Sequence, residues 1–241
     1  MPFLRAKWRN LVMVNWSIPP DCLAALIPEG CVLDQFQGKT YVSLVAFLFE
    51  DTRVLGVAVP GHQNFEEVNL RFYVKHLTEA GEERRGVVFI REYVPKPMIA
   101  WVARTLYQEP YGTIPMSHDF RRNEAGQLTA RYQWGKNWIT GLIGEPSQPL
   151  KAGSVQHFIS EHYWGYTKTN RGTREYRVDH PSWTWRTFDH YQTEIHFESL
   201  YGSKWSFLSS QQPDCVFMAD GSEVSVEPWG RLPATRNREL S

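Results

Sequence analysis

The sequence predicts a mainly-β protein with a few short helices, folded either as one barrel or as a closed sandwich. Many short segments rich in β-branched and aromatic residues are separated by turn residues, whereas only two or three stretches have a helical pattern. The Pro/Gly loop over residues 145–153 is the best candidate for a boundary, but strand patterns resume on both sides without a shift of composition. We therefore predict a single domain over residues 1–241.

The first part of the chain predicts a strand, a short helix and a hairpin. RNLVMVNWSI has the composition of a strand, and the following prolines and Gly30 frame a helix over Asp21–Leu26. CVLDQF and TYVSLVAFLFE lie on either side of the turn QGK and are typical of hairpin strands.

The clearest strand is FEEVNLRFYVK, residues 65–75, in which polar and apolar residues alternate. The two faces are Val68, Leu70 and Phe72 on one side and Glu67, Asn69 and Arg71 on the other. A sandwich would turn the polar face to water, whereas a closed barrel can turn it towards a cavity. Because the apolar face needs cover, we expect the polar face to point inward and the apolar face to pack against an outer layer of helices.

This polar face carries a carboxylate, an amide and a guanidinium. The three groups can satisfy one another, or they can bind a ligand that bears a carboxylate or a carbonyl group. Arginine is suited to bidentate recognition of carboxylates. Both interpretations stay open at this point.

Lys96 stands between two prolines, where the strand RGVVFIREYV gives way to an amphipathic helix over Pro97–Tyr107. A lysine becomes a Schiff-base nucleophile when desolvation or a nearby cation lowers its pKa. Arg91 on the incoming strand and Arg71 on the strand before it are the candidate cations. Lys96 is therefore a candidate nucleophile, and Arg91 a candidate ligand-binding residue.

The second half of the chain predicts further hairpins and one more helix. TIPMSHDFRR pairs with QLTARYQW and GYTKT with TREYRVDH, while NWITGLIG and WTWRTFDHYQTEIHF are single strands. A helix is expected over Ser154–His162, with Ser154 as its cap. ESLYGSKWSFLSS predicts another strand, and the Asp-Gly pair in DCVFMADGSEVSVE predicts a hairpin.

The composition argues against several classes of partner. Twenty-six basic and 26 acidic side chains cancel, which is not the charge distribution of a nucleic-acid binder. The longest apolar runs have six residues, so no membrane partner is expected. The N-terminus lacks a secretory apolar region, which predicts a cytoplasmic protein, and the three cysteines are expected to be reduced.

No motif points to a metal or a cofactor. The eight histidines are scattered, and there is neither an HExxH motif nor a Cys/His cluster. GxGxxG, GxxxxGK[ST] and GxSxG are also missing, so nucleotide-binding and serine-hydrolase functions have no local support. We predict no metal and no cofactor.

Several motifs together resemble one family. They are the tryptophan pattern of Trp8 to Trp16, IPPDCLAALIPEGCVLDQFQGKTYVSLVAF, FxEVNLRFYV and EHYWGY followed by VDHPSW. Together they run over most of the chain and are similar to DUF2071, which is grouped with acetoacetate decarboxylase-like proteins. The resemblance implies a cone-shaped, closed β-barrel around a pocket. The pocket set that it implies is Glu67, Asn69, Arg71, Glu161, Tyr163 and His180.

The resemblance also bears on Lys96. Acetoacetate decarboxylases carry a Schiff-base lysine followed by a second lysine, and EYVPKP is similar to that segment. Pro97 replaces the second lysine, whose charge lowers the pKa of the first.

Three functions remain open. The protein is a barrel that binds a small carboxylate- or carbonyl-bearing molecule, a decarboxylase-like enzyme acting through Lys96 with Glu67 and Arg71, or a structural or interaction barrel. The expected partner is a small molecule, and self-association into a homo-oligomer stays open.

Overall fold

The computed structural model describes residues 2–232 of the chain. Within them it contains fifteen strands, three α-helices and three short 3-10 helices. The strands are β1 (Leu4–Ile18), β2 (Val32–Leu33), β3 (Thr40–Val54), β4 (Phe65–Leu77), β5 (Glu83–Val94), β6 (Tyr111–Thr113), β7 (Met116–Arg122), β8 (Leu128–Trp134), β9 (Asn137–Ile143), β10 (Gln148–Pro149), β11 (Trp164–Thr169), β12 (Gly172–Asp179), β13 (Thr184–Glu194), β14 (Cys215–Val226) and β15 (Gly230–Arg231). The helices are α1 (Pro97–Leu106), α2 (Val155–Ser160) and α3 (Phe197–Tyr201), and the 3-10 helices cover Pro20–Cys22, Ala24–Leu26 and Ser203–Ser209. Among the described residues, none of the helices has the length and apolar character needed to cross a membrane.

Seven strands form a closed ring, in the order β12, β11, β5, β4, β3, β1 and β14. The ring closes where Val178 and Asp179 of β12 pair with Val226 and Ser225 of β14. All neighbours in the ring are antiparallel except β5 and β11. The mainly-β, barrel-like fold that the sequence predicts is confirmed.

A second layer covers one side of the ring. Strands β13, β9, β8 and β7 continue from β14 in that order. Val68, Leu70 and Phe72 of β4 are fully buried in one apolar cluster with Trp134 of β8 and Phe197 of α3. The predicted outward direction of the apolar face is confirmed, but its cover is mainly a sheet, with α3 beside it, rather than a layer of helices.

The predicted helices occur, with one change of type. α1 begins at Pro97, and α2 follows Ser154, whose Oγ accepts a 3.1 Å hydrogen bond from the backbone N–H of His157. The segment over Asp21–Leu26 forms two 3-10 turns instead of an α-helix.

The predicted strand over residues 198–210 is wrong, because α3 and a 3-10 helix occupy this segment. Phe197, Leu200 and Tyr201 are buried and spaced i, i+3, i+4, which is helical periodicity. Gly202, with φ +97°, separates the two helices.

The predicted hairpin at Asp220-Gly221 is also wrong. β14 runs without interruption through both residues and pairs with β1 from Val226 to Cys215. Gly221 has φ +82°, and a Cβ atom there would lie 2.1 Å from the carbonyl oxygen of Trp8. Glycine is therefore required by close strand packing rather than by a turn.

Candidate functional site

A cavity of about 220 Å³ lies inside the barrel. Aromatic rings form much of its wall, including Phe49 and Phe65, which stack with their centroids 4.7 Å apart. Met98, Ile99 and Val102 of α1 cover one side of it. Such a space favours an apolar molecule held at one end by a few polar groups.

The polar face of β4 lies in the cavity wall. Glu67, Asn69 and Arg71 line the cavity, and at most 8% of each residue is exposed. Because Val68 and Leu70 alternate with them on the outer side, the two faces separate as the period-2 pattern predicts. The predicted inward direction of this polar set is confirmed.

Three buried carboxyl groups line the same cavity: Glu67, Glu92 and Glu109. Tyr111 donates a 2.8 Å hydrogen bond to Oε2 of Glu67, and Asn69 donates one of 3.1 Å to Oε1. Glu109 accepts hydrogen bonds from two hydroxyl groups. Oε2 of Glu92 has no hydrogen-bond partner among residues 2–232.

Burial raises the pKa of all three carboxyl groups. The pKa is about 7 for Glu67 and about 7 for Glu109, where hydrogen bonds to the charged form oppose the effect of burial. The pKa of Glu92 lies well above its usual value, first through burial and then through the charges of Glu109 and Glu67. Glu92 therefore favours the protonated form, which can donate a hydrogen bond.

The Arg71 guanidinium is a buried cation without a carboxylate partner. No ion pair within 4.0 Å joins it to another described residue, and its Nε atom has no hydrogen-bond partner there. Its Cζ atom lies 5.7 Å from the centroid of the Tyr73 ring. A buried charge is costly unless it is paired, so this group is suited to an anion that enters the cavity.

Other lining residues also present polar atoms without partners in the described part of the chain. They are Nε1 of Trp8, Oγ1 of Thr52, Oδ1 of Asn69, Oγ of Ser160 and Nδ1 of His162. Buried polar groups in folded proteins are almost always hydrogen-bonded, so their concentration around one cavity indicates a polar end to the site.

His180 lies in the wall, as predicted, and the ring of Trp183 stacks on it at 4.1 Å. The Tyr163 ring also packs against the His180 ring, with the two centroids 4.7 Å apart. Tyr163 donates a 2.5 Å hydrogen bond to Glu161, which also accepts one from Ser182. Tyr163 therefore contacts His180, Glu161 holds the Tyr163 hydroxyl group, and neither Glu161 nor Tyr163 lines the cavity.

Arg91, a candidate ligand-binding residue, is not brought to the cavity wall by the structure. Leu70 pairs with Arg91 and Arg71 with Phe89, so the strand pairing shifts by one residue near Ile90. This bulge turns Glu92 into the cavity and leaves Arg91 exposed, above the Tyr93 ring at 5.4 Å.

Lys96 is half-buried at the start of α1, where its carbonyl oxygen accepts a hydrogen bond from Ala100. It is not a lining residue, although four residues of α1 are. The structure therefore does not bring Lys96 into the cavity wall, because the helix that begins at Pro97 turns Met98 and Ile99 towards the cavity instead.

Sequence reasoning missed several lining residues. Glu92 was hidden by the bulge, and Glu109 and Tyr111 follow α1 in a segment with no strong pattern. Ser160 ends α2 and His162 lies two residues beyond it. Both fall in the helix predicted over Ser154–His162, and His162 is also in the EHYWGY motif, but neither residue is in the predicted pocket set.

Solved structures of similar fold include acetoacetate decarboxylases and an enzyme of enduracididine biosynthesis. The acetoacetate decarboxylase of Legionella pneumophila matches with a TM-score of 0.64 and 14% identity over 98% of this chain and 88% of that one. The enduracididine biosynthesis enzyme MppR, complexed with pyruvate, matches with a TM-score of 0.63 and 11% identity over 97% and 92% of the two chains. An acetoacetate decarboxylase-like enzyme from Sphingomonas wittichii RW1 gives 0.61 and 12% over 97% and 94%. At such low sequence identities, the structural similarity establishes the fold alone.

Within this fold class the family is clear. The DUF2071 family of uncharacterized conserved proteins matches residues 5–223, so the chain belongs to that family. The uncharacterized protein YqjF of Bacillus subtilis (strain 168) is 22% identical over 209 residues, which cover 86% of this chain and 76% of YqjF. The family resemblance of the sequence motifs is confirmed.

Proposed function

We propose that the barrel binds a small organic acid, with the carboxylate at Arg71 and the apolar part of the molecule between the aromatic rings of the wall. The observation that carries this proposal is the buried Arg71 guanidinium, which has no ion pair among residues 2–232 and lines the cavity. An entering carboxylate would supply the missing counter-charge and accept charge-assisted hydrogen bonds.

The carboxyl groups of the wall do not prevent anion binding. Burial raises the pKa of Glu92 well above its usual value, so the neutral form of this residue can donate to a carboxylate or a carbonyl oxygen. Glu67 has a pKa of about 7, so it is partly protonated at pH 7, and the protonated fraction does not repel an anion. A structure of similar fold, MppR, is complexed with pyruvate, which is a small organic acid of the proposed class.

The alternative of a Schiff base on Lys96 has less support. No lysine is found among the lining residues in the described part of the chain, and Lys96 lies at the start of α1 beside a proline. Arg91, the other candidate cation, is exposed on the outer side of the bulge. Binding through Arg71 needs neither residue.

The test is calorimetric titration at pH 7 with 4-methylpentanoate and with the matched alcohol 4-methylpentan-1-ol. We expect the acid to bind and Arg71→Met to weaken it by roughly 10- to 100-fold, the range for loss of charge-assisted hydrogen bonds. Arg91→Met is the matched control, because it removes an arginine from the outer face of the same barrel. Arg71→Lys keeps the charge without the planar fork and should bind with intermediate affinity.

Two results would overturn the proposal. One is equal affinity for the acid and the alcohol, and the other is equal weakening by Arg71→Met and Arg91→Met. Thermal unfolding curves of all variants identify any loss of affinity that comes from loss of the fold.

A further inference from the structure

We propose that His162, oriented by Asp34, is the hydrogen-bond acceptor for a hydroxyl group on the bound acid, so that the site selects 2-hydroxy acids over 2-oxo acids. This inference rests on the proposed function, because it assumes that Arg71 holds the carboxylate. It assigns a second polar contact to His162, which lies in the EHYWGY motif but is not in the pocket set that the family resemblance implies.

The first step is the position of His162. The residue follows α2, lines the cavity, and has a side chain that is 1% exposed. Its centroid lies 4.6 Å from that of the Tyr73 ring, which the Arg71 guanidinium also contacts. Arg71 and His162 therefore both lie beside the Tyr73 ring in the wall of one cavity.

The second step is the tautomer of the imidazole. Nε2 of His162 lies 3.0 Å from Oδ2 of Asp34, which also accepts a 2.7 Å hydrogen bond from Nε of Arg85. Burial works against ionisation of Asp34, but the hydrogen bonds from His162 and Arg85 lower its pKa below the usual value. An ionised Asp34 is only an acceptor, so Nε2 carries the hydrogen and donates it.

A longer contact joins Nη2 of Arg85 to Nε2 of His162 at 3.4 Å. It would need Nε2 to accept, which competes with the shorter contact to the carboxylate. Because both Arg85 and Nε2 are directed at the same Oδ2 atom, the carboxylate fixes the tautomer, and the 3.4 Å contact is a consequence of this convergence.

The third step is the state of Nδ1. Burial lowers the pKa of His162 to about 4, so the ring is neutral at pH 7 and carries a single hydrogen. With that hydrogen on Nε2, Nδ1 is an acceptor, and within residues 2–232 it is buried without a partner. Oγ of Ser160, two residues earlier, is likewise buried without a partner and lines the cavity.

These steps define the ligand class. An acceptor at Nδ1 can receive a hydrogen bond from a hydroxyl group, whereas a ketone oxygen at the same place would face a lone pair. A 2-hydroxy acid makes one hydrogen bond more than the unsubstituted acid. A 2-oxo acid would place its ketone oxygen, an acceptor, against Nδ1, which is also an acceptor.

The test uses three acids of one carbon skeleton: 2-hydroxy-4-methylpentanoate, 4-methyl-2-oxopentanoate and 4-methylpentanoate. In the unmodified protein we expect the hydroxy acid to bind roughly tenfold more tightly than the other two, the value of one buried hydrogen bond. His162→Gln retains an amide near the Nε2 position but lacks Nδ1, so it should bind all three acids about equally.

Asp34→Asn is the decisive variant. Its amide can donate to Nε2, which moves the imidazole hydrogen to Nδ1 and converts that atom into a donor. The preference for the hydroxy acid over the oxo acid should then narrow or invert. Nitrogen NMR of His162 in both proteins should report the exchange of tautomers, which a merely structural role of Asp34 would not produce.

The outcomes separate the two proposals. If none of the three acids binds, the carboxylate site at Arg71 is wrong. If all three bind with equal affinity in the unmodified protein, or if Asp34→Asn changes the tautomer without changing the preference, the role of His162 is wrong while the carboxylate site stands. Thermal unfolding of both variants establishes that each is folded at the temperature of the titrations.

Discussion

The Tyr111 hydroxyl group donates a 2.8 Å hydrogen bond to Oε2 of Glu67, across 44 residues of sequence. The contact joins β6, which follows α1, to the interior face of β4. It opposes the effect of burial on the carboxyl group, whose pKa nevertheless rises from 4.5 to about 7. Glu67 is therefore both a structural link and a buried acid that titrates near neutral pH.

This raised pKa predicts the pH dependence of stability. Between pH 4.5 and about 7 the folded protein holds a proton on Glu67 that the unfolded chain has lost, so stability falls as pH rises through this window. Glu67→Gln should reduce that fall by up to about 3 kcal/mol between pH 5 and pH 8. Urea unfolding of both proteins at the two pH values measures the difference.

The control for this experiment is Glu124→Gln, because Glu124 is exposed in a turn. His162, whose pKa is lowered to about 4, has the opposite effect: its contribution to the free energy of unfolding rises between pH 4 and 6.5. This contribution is present in both proteins and cancels when they are compared. The prediction would be contradicted if the free energy of unfolding fell by the same amount between pH 5 and pH 8 in Glu67→Gln and in the unmodified protein.

Two buried tyrosines predict opposite effects of one substitution. Tyr73 donates a 2.7 Å hydrogen bond to Ser43, which donates in turn to Asn15, whereas the Tyr166 hydroxyl has no partner in the described residues. Tyr73→Phe should lower the free energy of unfolding by about 1–2 kcal/mol, because Ser43 loses its donor. Tyr166→Phe should be neutral or stabilising, and chemical denaturation of the two variants gives the comparison. Equal losses of unfolding free energy in the two variants would contradict the prediction, because the hydrogen bond of Tyr73 would then contribute nothing measurable.

Two glycines with positive φ predict different costs of a methyl group. Gly126 has φ +78° and open space around it, so Gly126→Ala should cost about 1–2 kcal/mol of backbone strain. Gly221→Ala has the same kind of strain and also places Cβ 2.1 Å from the Trp8 carbonyl oxygen, which should add at least about 1–3 kcal/mol. Thermal and urea unfolding compare the two, and a smaller effect at Gly221 would contradict the β1–β14 packing.

Lys96 provides a chemical prediction. Since it lies outside the cavity wall, incubation with pyruvate or acetoacetate followed by borohydride should leave no adduct at this position. Mass spectrometry of proteolytic fragments detects the adduct, and Lys96→Arg should bind 4-methylpentanoate like the unmodified protein. Efficient trapping at Lys96 that disappears in Lys96→Arg would restore the Schiff-base mechanism.

The sequence predicts the part of the cavity wall that depends on the alternation of side chains within a single strand. Glu67, Asn69 and Arg71 are placed correctly because β4 keeps strict period-2 alternation over its buried length. The same reasoning fails on β5, where one bulge exchanges Arg91 for Glu92. A bulge depends on how two strands pair, and neither strand alone carries its signal.

The Asp34–His162 pair lies beyond local reasoning for a different reason. The two residues are 128 positions apart, and both lie outside the long strands. Their meeting depends on the order of strands around the ring, which no spacing in the sequence encodes. The helix α3 does carry a local signal, because the i, i+3, i+4 spacing of Phe197, Leu200 and Tyr201 is typical of a helix rather than of the strand predicted over residues 198–210.

The ring of strands also sets the order of events during synthesis on the ribosome. β1 is made before the other described strands, yet one of its two neighbours is β14, which ends at Val226. Until that strand emerges, β1 and β12 both keep an unpaired edge, and the barrel stays open on an apolar interior. Native closure of the ring therefore waits until β14 has been made, and before that the edges of β1 and β12 are open to pairing with other strands.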